Sequence, residues 1–447
     1  MRTGFSGFGS GKVAGLMLAA MMTASAFGQG GSFRTIAPDP QFDYAVVQAI
    51  SANGRYAVVS LQNSTNRPFP LISYRLDLQT GDRIDLIDPS GADLNALAIS
   101  ADGSTIVGYV GGGPLTGSYA FVWSSGEVNV IGGLGTGEIN YATGVSNDGS
   151  VVVGLTSTAF GDGYSQGWKW SPEVDFTALE DLGTDVLTFS SVEGVSGDGS
   201  TVVGYGTIGD FDPDTDDFAY ATVWQDSVTP TNIGNLPNPF NAASDARAAS
   251  DDGSVVVGFG GGVNSLGNYA NRSFRWTAAG GMVNLGELPG QPTASLYALD
   301  CTADGNTAVG YSIVGGPNTW NAVTWTQAAG WRTLRSQLLD RGITYPADLG
   351  LRETYCSADG TVLGGWAYNT TTQKYVGYIA TLPNGAACDP DVNQDGNSDQ
   401  GDVDYLVNVV AGGANPTNID PDFNGDGNVD QGDIDALINV VAGGECP

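Results

Sequence analysis

Two twelve-residue stretches near the end of this 447-residue chain place oxygen side chains at the spacing a hard cation needs. The first runs from Asp391 to Asp402, with Asp391, Asn393, Asp395, Asp399 and Asp402 at loop positions 1, 3, 5, 9 and 12. The second runs from Asp422 to Asp433, with Asp422, Asn424, Asp426, Asp430 and Asp433 in the same places. Asn397 and Asn428 stand at position 7, where a backbone carbonyl is the usual ligand. Gly396 and Gly427 stand at position 6, where the loop must turn sharply and a residue without Cβ does so cheaply. Calcium takes about 6–8 oxygens at roughly 2.3–2.6 Å, which five side chains and a carbonyl supply. The expected cofactor is therefore Ca2+, two ions in all. A metal-free acidic turn is the plainer alternative, and the intact repetition of the spacing argues against it.

A helix should follow each loop. Val403, Leu406, Val407 and Val410 fall on one helical face, and Gly412-Gly413 supplies a stop. The second copy repeats this with Ile434, Leu437, Ile438 and Val441 before Gly443-Gly444. The loops resemble those of EF-hands. With no helix of similar length entering either loop, residues 388–447 resemble the type I dockerin domain. That resemblance implies calcium-dependent docking to a cohesin-like or cell-surface protein. It also implies that loop positions 10 and 11 choose the partner; here these are Gln400-Gly401 and Gln431-Gly432, in place of the hydroxyl pair common in the family. Cys388 and Cys446 bracket the unit, either as a disulfide contributing roughly 4 kcal/mol through chain entropy or as two free thiols.

Ahead of this unit lies a repeat array. A short strand, a Ser/Thr-x-Asp/Asn-Gly turn and a Val-rich strand recur seven times. The turns are Ser51–Gly54, Ser100–Gly103, Ser146–Gly149, Ser196–Gly199, Ser250–Gly253, Thr302–Gly305 and Ser357–Gly360. Each unit reads as four strands, the third carrying an aromatic such as Trp123, Trp168, Trp224, Trp276 or Trp325. That aromatic is expected to pack between layers. Four strands about every fifty residues is the period of a β-propeller blade. The seventh unit stops at its third strand, while Phe33 to Ala37 forms a spare strand ahead of the first turn. Pairing the two would remove two open edges. The expected fold is mostly β: a seven-bladed β-propeller over 29–382, closed by strand 33–37, with a linker at 383–387 and a small α-helical, dockerin-like calcium-binding domain at 388–447. An open β-solenoid is the alternative.

The units resemble the bacterial extracellular HAF repeat, best over Ser273 to Gly290, with Phe274-Arg275-Trp276 and Leu285-Gly286-Glu287-Leu288-Pro289-Gly290. The resemblance implies export and brings no catalytic residues. Export is also read from the first 28 residues: Arg2 and Lys12, then an apolar run from Val13 to Met22, too short to span a bilayer, then small residues suited to cleavage. The expected location is secreted or cell-surface, with no membrane insertion.

Composition excludes several functions. The chain has 48 acidic against 16 basic residues, a net charge of −32, which repels nucleic acid and anionic lipid. It has no His, which removes the commonest general base and the usual nucleophilic triads. Arginines are scattered, and no carboxylate pair stands out for glycoside cleavage. The segment 210–217 alternates carboxylates without the turn Gly and reads as an acidic loop. Cys301 and Cys356 occupy one core-facing repeat position, as a bridge or as buried thiols. The sequence therefore reads as an exported, non-catalytic calcium-binding protein, its propeller a recognition platform for carbohydrate or protein. The alternative is a polysaccharide-degrading enzyme, a glycoside hydrolase or lyase, delivered by its dockerin.

Overall fold

The repeating turn is built by three hydrogen bonds. In the fifth unit Ser250 Oγ donates to Asp252 Oδ1 at 2.7 Å, the same oxygen accepts from Ser254 N at 2.9 Å, and Ser250 Oγ accepts from Val255 N at 3.0 Å. Short side chains that bond their own backbone favour such turns over continued strand. Gly253 closes the turn at φ +67°, a region that costs other residues strain. The same three bonds recur in every unit, with Asn53 replacing Asp in the first.

Around these turns the chain, a computed structural model, folds into antiparallel sheets. The structure describes residues 31–63, 71–111, 117–134, 139–157, 165–183, 189–208, 218–237, 243–315, 319–382, 390–393, 395, 397–417, 419, 421, 423 and 429–442. The leader, the linker, the 210–217 segment, Cys388, Cys446 and the loop residues Asp422, Asn424, Asp426 and Asn428 lie outside them. Units two to six each form a four-stranded sheet in chain order. The first and seventh units join in one eight-stranded sheet, in which Ser32–Ile36 pairs antiparallel with Lys374–Thr381, from Ser32 opposite Thr381 to Ile36 opposite Gly377. The strand beginning at Tyr44 then meets Tyr375 in parallel. The N-terminal strand thus lies one residue earlier than 33–37 and caps the last unit's edge.

Consecutive sheets stack face to face, and the buried apolar residues lie between units rather than within them. Val153 of the third unit packs with Val192, Val202 and Trp224 of the fourth. Val257 of the fifth packs with Leu296, Ala298 and Trp331 of the sixth. Ile379 of the seventh packs with Val47, Val59 and Leu61 of the first, so the stacking returns to its start. Trp123, Trp168, Trp224 and Trp276 are buried in these layers. The turns close the same circuit by backbone hydrogen bonds: Asn53 N to Ala101 O, Ala101 N to Asn147 O, Asn147 N to Gly197 O, Asp198 N to Asp251 O, Asp251 N to Ala303 O, Ala303 N to Ala358 O, and Ala358 N to Ala52 O, all between 2.8 and 3.2 Å. The first strands of successive units contact one another around the axis. One end of that axis carries the ring of turns. At the other, the second strands end and the third strands begin.

Each first strand has one extra residue, a β-bulge, opposite its partner: Gln48, Leu97, Thr143, Glu193, Arg247, Leu299 and Arg352 in chain order. The bulge brings the first strand's carbonyl against the second strand. A Cβ on Gly258 would meet Asp245 O at 2.0 Å, and one on Gly310 would meet Tyr297 O at 2.0 Å. The Val-Val-Gly signature is thus the imprint of the bulge on the opposite strand.

Three helices complete the structure. The first, α1 (Leu334–Asp340), lies between the sixth and seventh units, capped by Thr333 and burying Leu334, Gln337 and Leu338. The others, α2 (Gln400–Val410) and α3 (Gln431–Val441), begin at Asp399 and Asp430, each with a capping box formed with Asp402 or Asp433. They pack through Val403, Leu406, Ile434 and Leu437, with Val392 and Phe423 in the same core. Among the described residues no helix is long and apolar enough to cross a membrane.

Candidate functional site

Two neighbouring bulges carry opposite charges, Glu193 and Arg247. A bulged residue escapes the strict in–out alternation of a strand, so Glu193 and Arg247, one per neighbouring sheet, reach each other there. Arg247 Nη1 lies 2.7 Å from Glu193 Oε2 and 3.2 Å from Asp245 Oδ2. Asp245 Oδ1 is buried without a hydrogen-bond partner. Burial pushes the Asp245 carboxyl up to about 7; Arg247 opposes the shift and Glu193 adds to it. Half-buried Arg247 stays charged, because the two carboxylates outweigh its own desolvation.

Three tyrosines and a second glutamate extend the cluster. Tyr355 donates to Glu353 Oε1 at 2.6 Å, and Trp366 Nε1 donates to Glu353 Oε2 at 3.1 Å. Burial, then Glu353, raises the Tyr355 hydroxyl well above its ordinary value, and Arg247 pulls the other way. Tyr311 is raised by burial, beside Tyr297 and Glu353. Tyr205 is raised by burial next to Asp245 and Glu193. Asp300 has a different task. Its Oδ1 accepts from Cys301 N at 2.8 Å and its Oδ2 from Cys356 N at 3.0 Å, tying two first strands together. Cys301 and Cys356 themselves are free, buried thiols.

An arc of aromatic rings adjoins this cluster on the loop side of the ring. Phe259 meets Tyr297 at 4.9 Å, Tyr297 stacks on Tyr311 at 4.6 Å, and Tyr311 stacks on Trp320 at 4.7 Å. Trp320 meets Trp366 at 5.8 Å, Trp366 meets Tyr375 at 5.4 Å, and Tyr375 stacks on Tyr44 at 4.4 Å. All are half-buried, so each keeps some surface open to solvent. Carboxylates, a guanidinium and partly exposed rings on one face can hold a sugar and deliver or take a proton.

The loop residues singled out in the sequence lie elsewhere. In the first loop Asp391 Oδ1 and Asn393 Oδ1 both accept from Asp395 N, at 3.0 and 2.9 Å, and Asp395 Oδ1 accepts from Asn397 N at 3.0 Å. Asp402 accepts from Asn393 N and Asp399 N, at 3.0 and 2.8 Å. Among the described residues no three His, Cys, Asp or Glu are gathered to hold a metal; the expected ligands also include amides and carbonyls, and much of the second loop is not described. The donor set, all oxygen, suits a hard cation. Asp402 and Asp433 are 0% exposed in a segment with no Lys or Arg. Gln400 and Gln431 each donate to the Asp four residues on, Asp404 and Asp435, at 3.0 Å, and Gly401 N and Gly432 N donate to the N-cap aspartates at 2.7 Å.

The Glu193–Asp245–Arg247 cluster was missed in the sequence. A signal existed: aligned on the turns, the bulge column reads Gln48, Leu97, Thr143, Glu193, Arg247, Leu299, with opposite charges in adjacent units where packing alone calls for neither.

No family model matches the chain, and no curated protein does. Solved structures match over the propeller. An oligogalacturonate lyase from Vibrio parahaemolyticus aligns with a TM-score of 0.51 at 13% identity, covering 79% of this chain and 98% of that one. The β-propeller domain of the Trilobed protease from Pyrococcus furiosus, described as having an open velcro topology, aligns with a TM-score of 0.50 at 10% identity, covering 76% and 94%. At these identities the likeness is one of fold: the chain is mostly β with a propeller-like architecture. It also corrects the reading of the chain as a non-catalytic calcium-dependent docking protein. The propellers it matches belong to a lyase and a protease, and no comparison points to docking.

Proposed function

We propose that this chain is an exported, seven-bladed propeller enzyme that cleaves glycosidic bonds at the loop end of its axis. The observation that carries the reading is the pair Asp245 and Glu193, held on one guanidinium. Both carboxylates lie against the same nitrogen, Glu193 Oε2 at 2.7 Å and Asp245 Oδ2 at 3.2 Å, so these oxygens are at most about 6 Å apart, short of the inverting range and compatible with a retaining glycosidase. Their environments differ, as acid and nucleophile must. Asp245 is kept protonated near neutrality by burial; Glu193 is paired with the Arg247 guanidinium.

In this mechanism Asp245 gives its proton to the glycosidic oxygen as the C1–O bond breaks. Glu193 bonds to C1. Water then attacks C1, its proton passes to Asp245, and Glu193 leaves as carboxylate. Arg247 holds both carboxyl groups in place. The aromatic arc positions the sugar by its apolar faces.

The C-terminal segment has a supporting role in this reading. Two buried carboxylates, Asp402 and Asp433, in a segment without a basic residue call for a cation from outside the chain. Two calcium ions in dockerin-type loops, coupling metal binding to folding, meet that need.

The test is cleavage of a panel of neutral and acidic polysaccharides by the full chain, with Asp245→Asn and Glu193→Gln as variants. Each substitution is expected to lower turnover at least about 100-fold while circular dichroism stays unchanged. Absence of cleavage across the panel, or turnover indifferent to both variants, overturns the reading.

A further inference from the structure

The guanidinium of Arg352 is surrounded by rings and paired with no carboxylate. The residue is 9% exposed, yet none of the ion pairs among the described residues includes it. Its Cζ lies 5.6 Å from the centre of the Trp366 ring, 5.4 Å from Tyr368 and 5.9 Å from Tyr375. The neighbouring Glu353 is already engaged, one oxygen by Tyr355 and the other by Trp366.

Ring faces attract the positive charge, but they leave the in-plane N–H donors of a guanidinium without acceptors. Those donors form a rigid fork that a planar carboxylate matches with two parallel bonds. None of the Arg352 nitrogens is among the fully buried side-chain atoms left without a partner, so the fork is open to a ligand, and a carboxylate there gains charge-assisted bonds. The surroundings suit a sugar: Tyr375 and its stacking partner Tyr44 offer half-exposed faces. The net charge of the chain, −32, repels anions in general, so an anionic ligand needs a local cation of this kind.

We propose that Arg352 is the carboxylate-reading residue of a sugar subsite, and that the ligand is an oligosaccharide containing uronic acid. The proposal deepens the glycoside-cleavage reading and rests on it for the fate of the sugar, while the binding stands on Arg352 and its rings.

The test is calorimetric titration of the full chain with trimers of mannuronate, guluronate and galacturonate, with the carboxyl-reduced neutral trimers, and with a sulfated disaccharide. At least one uronate trimer is expected to bind, about tenfold or more tighter than its reduced counterpart. Arg352→Lys, which keeps the charge and loses the fork, is expected to weaken that binding by about tenfold; Arg352→Met should abolish it. Equal binding of acid and reduced trimers by the unaltered chain, which needs no variant to fold, overturns the proposal. So does absence of uronate binding, a sulfated sugar bound more tightly, or uronate binding that survives Arg352→Lys and Arg352→Met in folded protein. Arg352-dependent binding without cleavage keeps this proposal and removes the role given to Asp245. Cleavage of neutral glycans with no preference for uronates does the reverse.

Discussion

Arg247 Nη1 lies 2.7 Å from Glu193 Oε2, joining two adjacent sheets at the bulged residues of their first strands. The two positions are equivalent in consecutive repeats, so a repeated backbone irregularity has been used to bring unlike charges together. Asp245, two residues before Arg247, shares the same guanidinium nitrogen at 3.2 Å.

Replacing Arg247 by Met should therefore leave two carboxylates facing each other. Loss of one partner from an enclosed pair costs about 3–5 kcal/mol when burial is complete; these groups are partly open, and about 2 kcal/mol is expected. Urea titration checks this, with a smaller loss at pH 5, where Asp245 carries a proton, than at pH 8.

The same carboxyl predicts a slope in stability with pH. Asp245 titrates near 7 in the folded chain and near 4 unfolded, so between these values the folded state holds the extra proton. Its contribution is complete below about pH 4 and is lost as pH rises through about 7. Asp245→Asn should flatten that part of the curve; an unchanged slope between the two proteins would count against an elevated Asp245.

Asp252 should behave in the opposite sense. Hydrogen bonds from Ser254 N and the Ser250 and Ser254 hydroxyls hold it down at about 2. Its contribution is present above about pH 4 and is lost as pH falls through about 2. Asp252→Ala is expected to cost about 1 kcal/mol at pH 7, measured by chemical denaturation, and to cost less at pH 2.

Removing the N-terminal strand opens an edge. Phe33 packs 5.3 Å from Tyr345 and 5.7 Å from Tyr378, centre to centre, so Phe33→Ala alone should cost about 2 kcal/mol. Deleting residues 31–37 should in addition expose Lys374–Thr381 to pairing with other chains. Size-exclusion chromatography should then show aggregates that the single substitution does not produce.

Calcium should be needed by the helix pair. Chelation is expected to lower the melting temperature of a separate, small unfolding transition and to reduce helical circular dichroism, both restored by added Ca2+. Asp402→Asn should weaken the first site and leave the second. A helical signal indifferent to chelator would remove calcium from the account of this segment.

Much of the architecture was legible because it repeats. The turn chemistry depends on near neighbours, Ser250 with Asp252 and Val255, and a local pattern survives in sequence wherever it is used. The spare strand at Phe33 was visible for the same reason: the seventh unit lacked one. The helix α1 was not, since seven residues with Leu334 and Leu338 inside are too few to show a period. The site depended on three residues 52 and 54 positions apart, Glu193 with Asp245 and Arg247, and on a bulge that turns side chains off the strand's alternation. Composition alone does not reveal that Arg247, one of several scattered arginines, reaches Glu193. The fixed column it shares with Glu193 would have shown it.

The hydrogen-bonded turns run from Asn53 through each unit to Ala358 and back to Ala52, and a closed circuit has no privileged starting point. Because Ser32–Ile36 lies alongside Lys374–Thr381 in antiparallel register, the natural opening of the polypeptide is only one of several that the same contacts allow. A permuted gene that joins these two strands by a short linker and starts the chain in a loop of another unit would keep every inter-sheet contact. The architecture is defined by which unit neighbours which, and the order in which a ribosome delivers them is free to change.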